Sequence, residues 1–410
     1  MREILEQSFR AAVAAADPLQ ILGAHLPRPP RGRTFVAAAG KAAASMALAV
    51  ERAWPAQARL EGIAVTRYQH GVPTKRIRVV EAGHPVPDES GEAAAREILA
   101  QSRALTEDDL LLALLSGGGS SLLSLPGEGV GMAELKVLTG ALLKSGASIQ
   151  EMNTVRKHLS AIQGGRLAAG CRAPVLALIV SDVTGDDATH IASGPCAPDP
   201  STIDDAKAVL GKYRLVFNGP FSETPKPGDA RFARVENRVV ATAHGSLEAA
   251  AQVFHKQGIH PVIVGDTVTG EASEVAKVFA AMVKEIRRHG SPWRAPVAII
   301  SGGECTVTVG EAKGRGGRCT EFLLSLAIEL QGTNGIWALA ADTDGIDGTE
   351  DNAGAHFSPE TLERALKARI DPKKRLAEHD SYGFFSALGD LIVTGPTRTN
   401  VNDYRAIVVT

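Results

Sequence analysis

Short, uninterrupted runs of apolar residues recur along the chain, and each is followed by a turn rich in Gly or Asp and then by a helix-like segment. The main runs are residues 35–39, 110–115, 175–180, 239–243, 261–264, 297–300 and 336–340. Strands that are buried on both faces read as continuous apolar runs, whereas half-exposed strands alternate. The pattern therefore predicts an α/β protein with mainly parallel sheets, in which functional residues lie at the carboxyl ends of the strands.

The length of the chain indicates more than one domain. The chain has 410 residues, which at roughly 150 residues per domain corresponds to two or three domains. The pattern of apolar runs is interrupted at residues 218–229 (NGPFSETPKPGD), where three prolines and two glycines occur. We therefore place a boundary near residue 235 and predict two α/β domains, residues 1–235 and residues 236–410.

Charge and cysteine content indicate what kind of molecule the protein binds and in which compartment it is found. The 44 Lys and Arg residues against 46 Asp and Glu residues give a formal net charge of −2, so no overall positive charge favours nucleic acid or an anionic membrane. The longest apolar stretches fall far below the roughly 18 residues that a membrane span requires. The four cysteines are too few for a disulfide framework and form no C-x-x-C pair. These features predict a cytoplasmic protein that acts on a small molecule.

The first apolar run leads directly to Lys41. The sequence TFVAAAGK (residues 34–41) is followed by an Ala-rich helical segment. A lysine in the first turn of a helix opposes the helix macrodipole, which is unfavourable for stability but suits an anion bound at the same N–H groups. A solvated lysine is the alternative. The stretch is not a Walker A motif, because the earlier Gly and the following Ser or Thr are missing.

Two glycine turns follow other apolar runs. One is SGGGSS, with Gly117, Gly118, Gly119, Ser120 and Ser121, and the other is SGGE, with Gly302, Gly303 and Glu304. Glycines let a backbone approach an anion without interference from Cβ atoms, and hydroxyl groups add donors. The two turns therefore predict phosphate binding, with tight strand-to-helix turns as the alternative.

Acidic residues follow two further runs. Asp182, Asp186 and Asp187 come after a buried strand, where carboxylates are costly unless a cation or a substrate hydrogen uses them. This indicates Mg²⁺ or a general base, since helix capping explains one Asp but hardly three. Asp342 and Asp344, in ADTDGIDG, are out of register with a calcium loop. They either lie near a metal bound to phosphate or shape turns.

Two other segments carry cations. Arg318, in KGRGGRCTE, begins a helix and so also opposes the dipole, and its planar guanidinium suits bidentate contact with a phosphoryl group or a carboxylate. A flexible hairpin is the alternative. Arg156 and Lys157 lie with His158 in the helical segment NTVRKHLS, for which a solvated basic face is the common explanation.

Together these segments favour phosphoryl transfer. That reaction requires a phosphate-binding turn, cations for the developing charge, carboxylates that hold Mg²⁺ and a group that orients the hydroxyl. A dinucleotide-dependent dehydrogenase requires G-x-G-x-x-G after its first strand, and the candidate turns lack it. A serine hydrolase requires G-x-S-x-G, which is absent from the sequence.

The order of these segments resembles the type-2 glycerate kinase family. The matching motifs are VAAAGKAA, GHPVPDESG (83–91), SGGGSS, MNTVRKHLS, SDVTGDDATHIASGP, SGGE, GGR (316–318), AADTDGIDG and TGPTRTNVND (394–403). The resemblance implies phosphorylation of D-glycerate at the 2-hydroxyl to 2-phosphoglycerate, with ATP and Mg²⁺. It also implies a larger Rossmann-like, three-layer N-terminal domain, a smaller C-terminal α/β domain and an active site in the cleft between them.

The resemblance also implies roles for the candidate residues. Lys41, Asp182 and Arg318 are the expected catalytic residues: the two cations stabilise the migrating phosphoryl group, and Asp182 orients or deprotonates the 2-hydroxyl. The glycine turns are expected to bind nucleotide phosphates. The remaining expected contacts are substrate at Arg156 and Lys157 and Mg²⁺ at Asp187, Asp342 and Asp344.

Three positions depart from the family pattern. Ser121 replaces the usual Ala, Cys196 replaces Thr and Cys319 replaces Asn. The thiol of Cys319 forms weaker hydrogen bonds than an amide. Some family members carry the label hydroxypyruvate reductase, which the missing dinucleotide fingerprint argues against. A reductase that uses NAD(P)H, a kinase for a related 2-hydroxy acid and a non-catalytic binding protein are the alternatives, and a homodimer is left open.

Overall fold

The computed structural model describes residues 1–310 and 312–410. The helices in these residues are α1 (Arg2–Ala15), α2 (Pro18–Ile21), α3 (Ala43–Ala53), α4 (Glu89–Arg103), α5 (Gly119–Leu122), α6 (Met132–Lys144), α7 (Ile149–His158), α8 (Arg166–Ala169), α9 (Ile203–Lys212), α10 (Ala243–Lys256), α11 (Ala272–His289), α12 (Arg318–Leu330), α13 (Thr361–Lys367), α14 (Pro372–Ala377) and α15 (Ser381–Leu388). The strands are β1 (Thr34–Ala39), β2 (Leu60–Arg67), β3 (Ile77–Ala82), β4 (Leu110–Leu115), β5 (Val175–Val180), β6 (Val235–Ala241), β7 (His260–Gly265), β8 (Gly270–Glu271), β9 (Val297–Ser301), β10 (Cys305–Thr306), β11 (Ile336–Asp342), β12 (Gly354–Phe357), β13 (Leu391–Ile392) and β14 (Asp403–Val409). The predicted α/β class is confirmed.

The chain forms two compact units. The N-terminal unit is Pro18–Val240, and the C-terminal unit combines Ala241–Thr410 with Met1–Asp17. The sequence-based division at residue 235 differs from this chiefly in the first 17 residues. Helix α1 packs on α10, because its apolar face, with Leu5 and Phe9, lies in the same hydrophobic cluster as Phe254.

The N-terminal unit contains a six-stranded sheet in the order β3-β2-β1-β4-β5-β6. The pairings from β3 through β5 are parallel. Strands β1, β4 and β5 are buried along their whole length, as their continuous apolar sequences predict. Because these three strands are parallel neighbours, their carboxyl ends share one edge of the sheet, and the turns that follow them lie side by side.

The C-terminal unit contains a second six-stranded sheet, in the order β13-β12-β11-β14-β9-β7. Only the β7–β9 pair is parallel within this sheet as described, and the other pairings are antiparallel. The prediction of mainly parallel sheets is therefore wrong for this unit. Alternate residues of β9, β11 and β14 enter two hydrophobic clusters on opposite faces. Burial on both faces produces continuous apolar runs whatever the strand direction, so the sequence pattern could not distinguish the two cases.

The antiparallel arrangement decides which strand ends meet in the C-terminal unit. Asp342 at the end of β11 pairs with Asp403 at the start of β14, and Ser301 at the end of β9 pairs with Arg405. The amino end of β14 therefore lies between the carboxyl ends of β9 and β11. In a parallel sheet it would lie at the opposite edge.

Among the described residues, none of the helices is both long enough and apolar enough to cross a membrane.

The docking of α1 can be tested with Phe9→Ala. The Phe9 side chain is buried, and its ring lies 5.9 Å from that of Tyr404 on β14. We expect the substitution to lower the free energy of unfolding of the C-terminal unit by about 3–5 kcal/mol, because it leaves a cavity. Urea denaturation measures this, with Val278→Ala on the exposed face of α11 as a control that changes little. A loss below about 1 kcal/mol for Phe9→Ala would contradict the docking.

Candidate active site

The turns after β1 and β4 lie against each other in the N-terminal unit. The backbone N–H of Lys41 donates to the Gly117 carbonyl at 2.8 Å, and that of Ala42 donates to the Ser116 hydroxyl at 3.1 Å. Gly118 has φ +79°, and a Cβ atom there would lie 2.8 Å from His84 Nε2 and 3.4 Å from Lys41 Cγ. The glycine turn at residues 116–121 therefore packs against Lys41 and His84.

Three backbone donors of this turn are unused. Within residues 1–310 and 312–410, the N–H groups of Gly117, Gly118 and Ser120 have no hydrogen-bond acceptor. The hydroxyls are engaged instead: Ser121 donates to the Gly118 carbonyl at 3.1 Å, and the Ser120 and Ser193 hydroxyls are 2.8 Å apart. Successive free N–H groups in a glycine turn form an anion-binding concavity. The groups of this turn that are available to an anion are therefore backbone N–H groups, whereas the hydroxyls of Ser120 and Ser121 are engaged within the protein.

A strained segment supports the turn from one side. Ala192, Ser193 and Gly194 have φ values of 51°, 58° and 58°, which is a left-handed conformation at three successive residues. A Cβ atom on Gly119 would lie 2.5 Å from the Cβ of Ala192, so only glycine permits this approach. Backbone strain of this kind persists where the surrounding structure holds it and is concentrated at functional sites.

Helix α7 holds the same segment through Asn153. Its side-chain amide donates to the His190 carbonyl at 3.1 Å, and its Oδ1 accepts from the Ser193 hydroxyl at 3.0 Å. Sequence reasoning did not single out Asn153, Ser193 or His84 as functional candidates. All three lie inside the motifs that it quoted, but only their contacts distinguish them from the neighbouring residues.

Arg156 and Lys157 occupy different environments on α7. Arg156 is three residues from Asn153 and so lies on the same helix face. Burial lowers the pKa of Arg156, and its guanidinium has no ion pair or hydrogen bond within the described part of the chain. Lys157 is fully buried, and its Nζ lies 3.2 Å from the buried Asp199 carboxylate. Burial lowers the pKa of Lys157 as well, but Asp199 opposes that effect.

The structure therefore corrects the prediction for Lys157. Its ammonium group is enclosed and already paired, so it stabilises the fold and is unavailable to a substrate. Arg156 keeps a free, partly desolvated cation, and it stays a predicted substrate-binding residue.

The acidic turn after β5 carries Asp182 and Asp187. Asp182 is half-buried two residues beyond the strand, and Asp187 is exposed and accepts a hydrogen bond from the Thr189 N–H at 2.8 Å. Partial burial acts to raise the pKa of Asp187, but the hydrogen bonds from Thr189 outweigh it and the pKa lies below its usual value. Because β5 is the neighbour of β4, this turn lies beside the glycine turn.

A second group of charged residues surrounds Arg318 in the C-terminal unit. Its Nε donates to Asp403 Oδ1 and its Nη2 donates to Asp342 Oδ2, each at 2.7 Å. Both carboxylates are buried, and Glu304 Oε1 lies 3.4 Å from Nη2. Burial acts to lower the pKa of Arg318, but the carboxylates of Asp403, Asp342 and Glu304 raise it well above its usual value.

This arrangement fixes the Arg318 guanidinium through two of its nitrogens. Its third nitrogen, Nη1, has no partner among the described residues. Sequence reasoning missed Asp403, although the quoted motif TGPTRTNVND ends on it. The missing information was the antiparallel direction of β14, which brings Asp403 to the edge where Arg318 lies.

The glycines of the second turn have a packing role. The Gly302 N–H donates to the Gly265 carbonyl at 2.8 Å. Gly303 has φ +93°, and a Cβ atom there would lie 2.2 Å from the Val268 carbonyl oxygen. At Gly303 the space that a side chain would need is filled by protein backbone, as in a tight strand turn, and phosphate binding by this turn stays a prediction.

The Asp347 carboxylate accepts the hydrogen bonds of N–H groups at the amino end of α12. Asp347, which is buried, accepts hydrogen bonds from the N–H groups of Cys319 at 3.0 Å and Thr320 at 2.9 Å. The Cys319 side chain lies in the hydrophobic core, and burial raises the pKa of its thiol. The departure from the family pattern at Cys319 therefore places a thiol in the hydrophobic core.

The predicted metal ligands do not form a cage. Among the residues that the structure describes, no group of three His, Cys, Asp or Glu side chains could hold a metal ion. Asp342 Oδ1 accepts from the Asp344 N–H at 3.0 Å, its Oδ2 binds Arg318, and Asp344 Oδ1 accepts from the Ile346 N–H at 2.9 Å. Magnesium bound to a nucleotide needs only one or two carboxylates, because phosphates and water complete its coordination. Asp187 is the predicted ligand whose carboxylate is exposed.

The contrast between Arg156 and Lys157 gives a paired test. We expect Lys157→Met to lower the free energy of unfolding by about 3–5 kcal/mol, because Asp199 would stay buried without its partner. We expect Arg156→Met to change it by less than about 0.5 kcal/mol, because that guanidinium has no partner to lose. Urea denaturation of both variants measures the difference. Equal losses would contradict the assignment of Lys157 to the fold and Arg156 to a ligand.

Comparison with known proteins gives two family matches. A domain of unknown function, DUF4147, matches residues 4–221. The MOFRL family matches residues 297–403. Together these matches cover the glycine turn, α7 and the acidic turn of the N-terminal unit and the Arg318 group of the C-terminal unit.

Individual relatives match over nearly the full length of the chain. A D-glycerate 2-kinase from Thermotoga maritima is 40% identical, and the match covers 98% of this chain and 97% of that protein. A protein from Agrobacterium vitis named putative hydroxypyruvate reductase is 51% identical, with coverage of 100% and 94%. The crystal structure of a glycerate kinase from Thermotoga maritima has a TM-score of 0.88 at 38% identity and covers 100% of this chain and 99% of that chain. On these matches, the chain belongs to the glycerate 2-kinase family.

Proposed function

We propose that this protein transfers the γ-phosphoryl group of ATP to the 2-hydroxyl of D-glycerate, giving 2-phosphoglycerate and ADP. The observation that carries the proposal is the glycine turn at residues 116–121, whose three unused N–H groups lie beside Lys41. Relatives named glycerate 2-kinase support the reaction class. The proposed residues belong to both units.

In this proposal the glycine turn and Lys41 bind phosphate oxygens. The N–H groups of Gly117, Gly118 and Ser120 supply fixed donors that need no reorganisation during the reaction. Lys41 adds a full positive charge next to them. Phosphoryl transfer depends mainly on such positioning and charge stabilisation, because the protein forms no covalent bond to the group that moves.

Asp182 acts as the general base for the acceptor hydroxyl. As the 2-oxygen of D-glycerate bonds to the γ-phosphorus, the bond from that phosphorus to the ADP oxygen breaks, and the hydroxyl proton passes to the Asp182 carboxylate. Arg156 binds the carboxylate of D-glycerate, since it offers an unpaired guanidinium and a planar fork that matches a carboxylate. These two contacts fix which oxygen of the substrate is phosphorylated.

Arg318 stabilises the charge that develops on the transferring group. Its Nε and Nη2 are held by Asp403 and Asp342, so Nη1 is presented in one orientation. A guanidinium that is already fixed loses little freedom when the transition state forms. The surrounding carboxylates also stabilise its charge, and they raise its pKa.

When Mg²⁺ is bound with ATP, it would neutralise part of the negative charge of the phosphates. Asp187 is the residue that would hold it, directly or through water, because its carboxylate is exposed. Asp342 and Asp344 instead orient Arg318 and the turn that follows β11. A cytoplasmic location is a further part of the proposal, and the four free thiols are compatible with a reducing compartment.

The reaction is tested by measuring ADP release with D-glycerate, L-glycerate, tartronate, hydroxypyruvate and no acid, each with and without Mg²⁺. NADH and NADPH oxidation is followed in parallel. We expect ADP to form with D-glycerate and Mg²⁺, and ³¹P NMR to identify the 2-phosphate. Oxidation of either reduced nucleotide with hydroxypyruvate, and no ADP with any acid, would replace the kinase by a reductase, the activity in the name of the Agrobacterium vitis relative.

Removing either catalytic cation should slow turnover without unfolding the protein. We expect Lys41→Met and Arg318→Met each to lower kcat by about 10²-fold or more, because each removes a fixed charge from the transition state. Lys144→Met and Arg288→Met remove exposed charges of the same types and serve as controls. Near-normal kcat in both active-site variants would refute their assignment.

Arg156→Met separates substrate binding from chemistry. Loss of a charge-assisted contact to the substrate carboxylate should raise the KM for D-glycerate by about 10- to 100-fold. The KM for ATP and kcat should change little, because the contact is the same in the ground state and the transition state. An unchanged KM for D-glycerate would show that Arg156 does not bind the acid.

A further inference from the structure

Arg405 is a fully buried arginine in the middle of the C-terminal sheet. It lies on β14, and its guanidinium carbon is 5.4 Å from the centre of the Phe322 ring. Its Nη1 donates to the Gly302 carbonyl at 2.7 Å, and its Nη2 contacts the Asp403 carboxylate and lies 3.2 Å from Cys305 Sγ. Its Nε has no hydrogen-bond partner in the described part of the chain.

A charge at this position is expensive for the fold. The flanking residues of β14, Ala406 to Val409, are apolar and buried, and a hydrophobic side chain there would avoid the cost of desolvating a guanidinium. The unpartnered Nε adds to that cost. The cost of burying Arg405 therefore indicates a role that packing alone does not supply.

The contacts of Asp403 indicate that role. One of its oxygens, Oδ1, accepts from Arg318 Nε, and the other, Oδ2, contacts Arg405 Nη2 and accepts from the Cys305 N–H at 3.4 Å. The Asp403 carboxylate therefore links a fully buried guanidinium to a partly exposed one. Arg405 and the Cys305 N–H hold the Asp403 carboxylate from the core side, and Arg318 binds its other oxygen.

Arg405 also contacts the turn that carries Glu304. Its bond to the Gly302 carbonyl anchors that turn, and Glu304 contacts Arg318 Nη2. Arg318 is thus constrained along two routes that begin at Arg405, one through Asp403 and one through residues 302–304.

We infer that Arg405 is a positioning residue that acts through Asp403 to set the orientation of the Arg318 guanidinium. The inference rests on the proposed function, because it assumes that Arg318 contacts the transferring phosphoryl group. Arg405 touches no substrate in this scheme. Its effect on the reaction therefore has to pass through Arg318, and this dependence distinguishes it from a residue that only stabilises the sheet.

The test is a double-mutant cycle in the full-length protein. Arg405→Met, Arg405→Lys, Arg318→Met and the double variant Arg318→Met with Arg405→Met are assayed for Mg²⁺-dependent ADP release with D-glycerate. Arg364→Met is the matched control, because it also removes a guanidinium from a buried carboxylate, Asp390, and shares no partner with Arg318.

We expect Arg405→Met to lower kcat by about 10- to 100-fold, because misplacing a catalytic group by a fraction of an ångström to 1 Å has effects of this size. The KM values for ATP and D-glycerate should change little, and Arg405→Lys should recover part of the loss because it restores the charge. In the Arg318→Met background, Arg405→Met should change kcat by less than about twofold, since interacting residues are not additive. Arg364→Met should retain wild-type kcat.

Each other outcome is informative. Wild-type kcat in Arg405→Met, or the same fold loss with and without Arg318, would overturn the inference while leaving the proposed function intact. If Arg405→Met does not fold, Arg405→Lys decides the question through the same cycle, and full wild-type kcat in that variant overturns the inference. Absence of ADP formation by the wild-type protein would instead refute the proposed function.

Discussion

The central strands of both sheets are buried on their two faces, and this constraint decides where charged side chains can lie. An ionised group inside such a sheet loses its water, so its burial is costly unless it is paired and hydrogen-bonded. Lys41, Asp182 and Asp342 accordingly lie at or just beyond strand ends, where turns supply hydrogen bonds. Arg405 is the exception within β14, and the carboxylate of Asp403 and the carbonyl of Gly302 compensate for its burial.

The sequence pattern predicted the strands that carry the candidate site, because double-sided burial leaves a continuous apolar run in the sequence. It could not predict strand direction in the C-terminal unit, since β9, β11 and β14 are as apolar as parallel strands. The position of Asp403 depends on that direction, and so it was missed. The glycine turn after β4 was predicted correctly as a turn, whereas its unused donors, the backbone N–H groups, could be recognised only from the hydrogen bonds.

Adjacent residues of one motif can have opposite roles, and the sequence carries no signal that separates them. Arg156 and Lys157 are neighbours in the same basic run, but successive positions on a helix point about 100° apart. One therefore lies on the face of Asn153, and the other is enclosed with Asp199. Similarly, Gly118 and Gly303 look equivalent in the sequence, although the first lies against Lys41 and His84 and the second against the backbone of Val268. The motifs indicated which segments carry candidate residues, and the contacts distinguished the individual residues within each segment.

The placement of α1 has a consequence for synthesis on the ribosome. Its apolar face, with Leu5 and Phe9, is synthesised before Pro18–Val240, yet the surface that covers it comes from residues beyond 241. At the usual pace of roughly 5–20 residues per second, that face waits tens of seconds for its partner. In the sequence, the compact unit Pro18–Val240 is inserted between the two parts of the other unit. The apolar face of α1 therefore stays without its packing partner until residues beyond 241 have been synthesised.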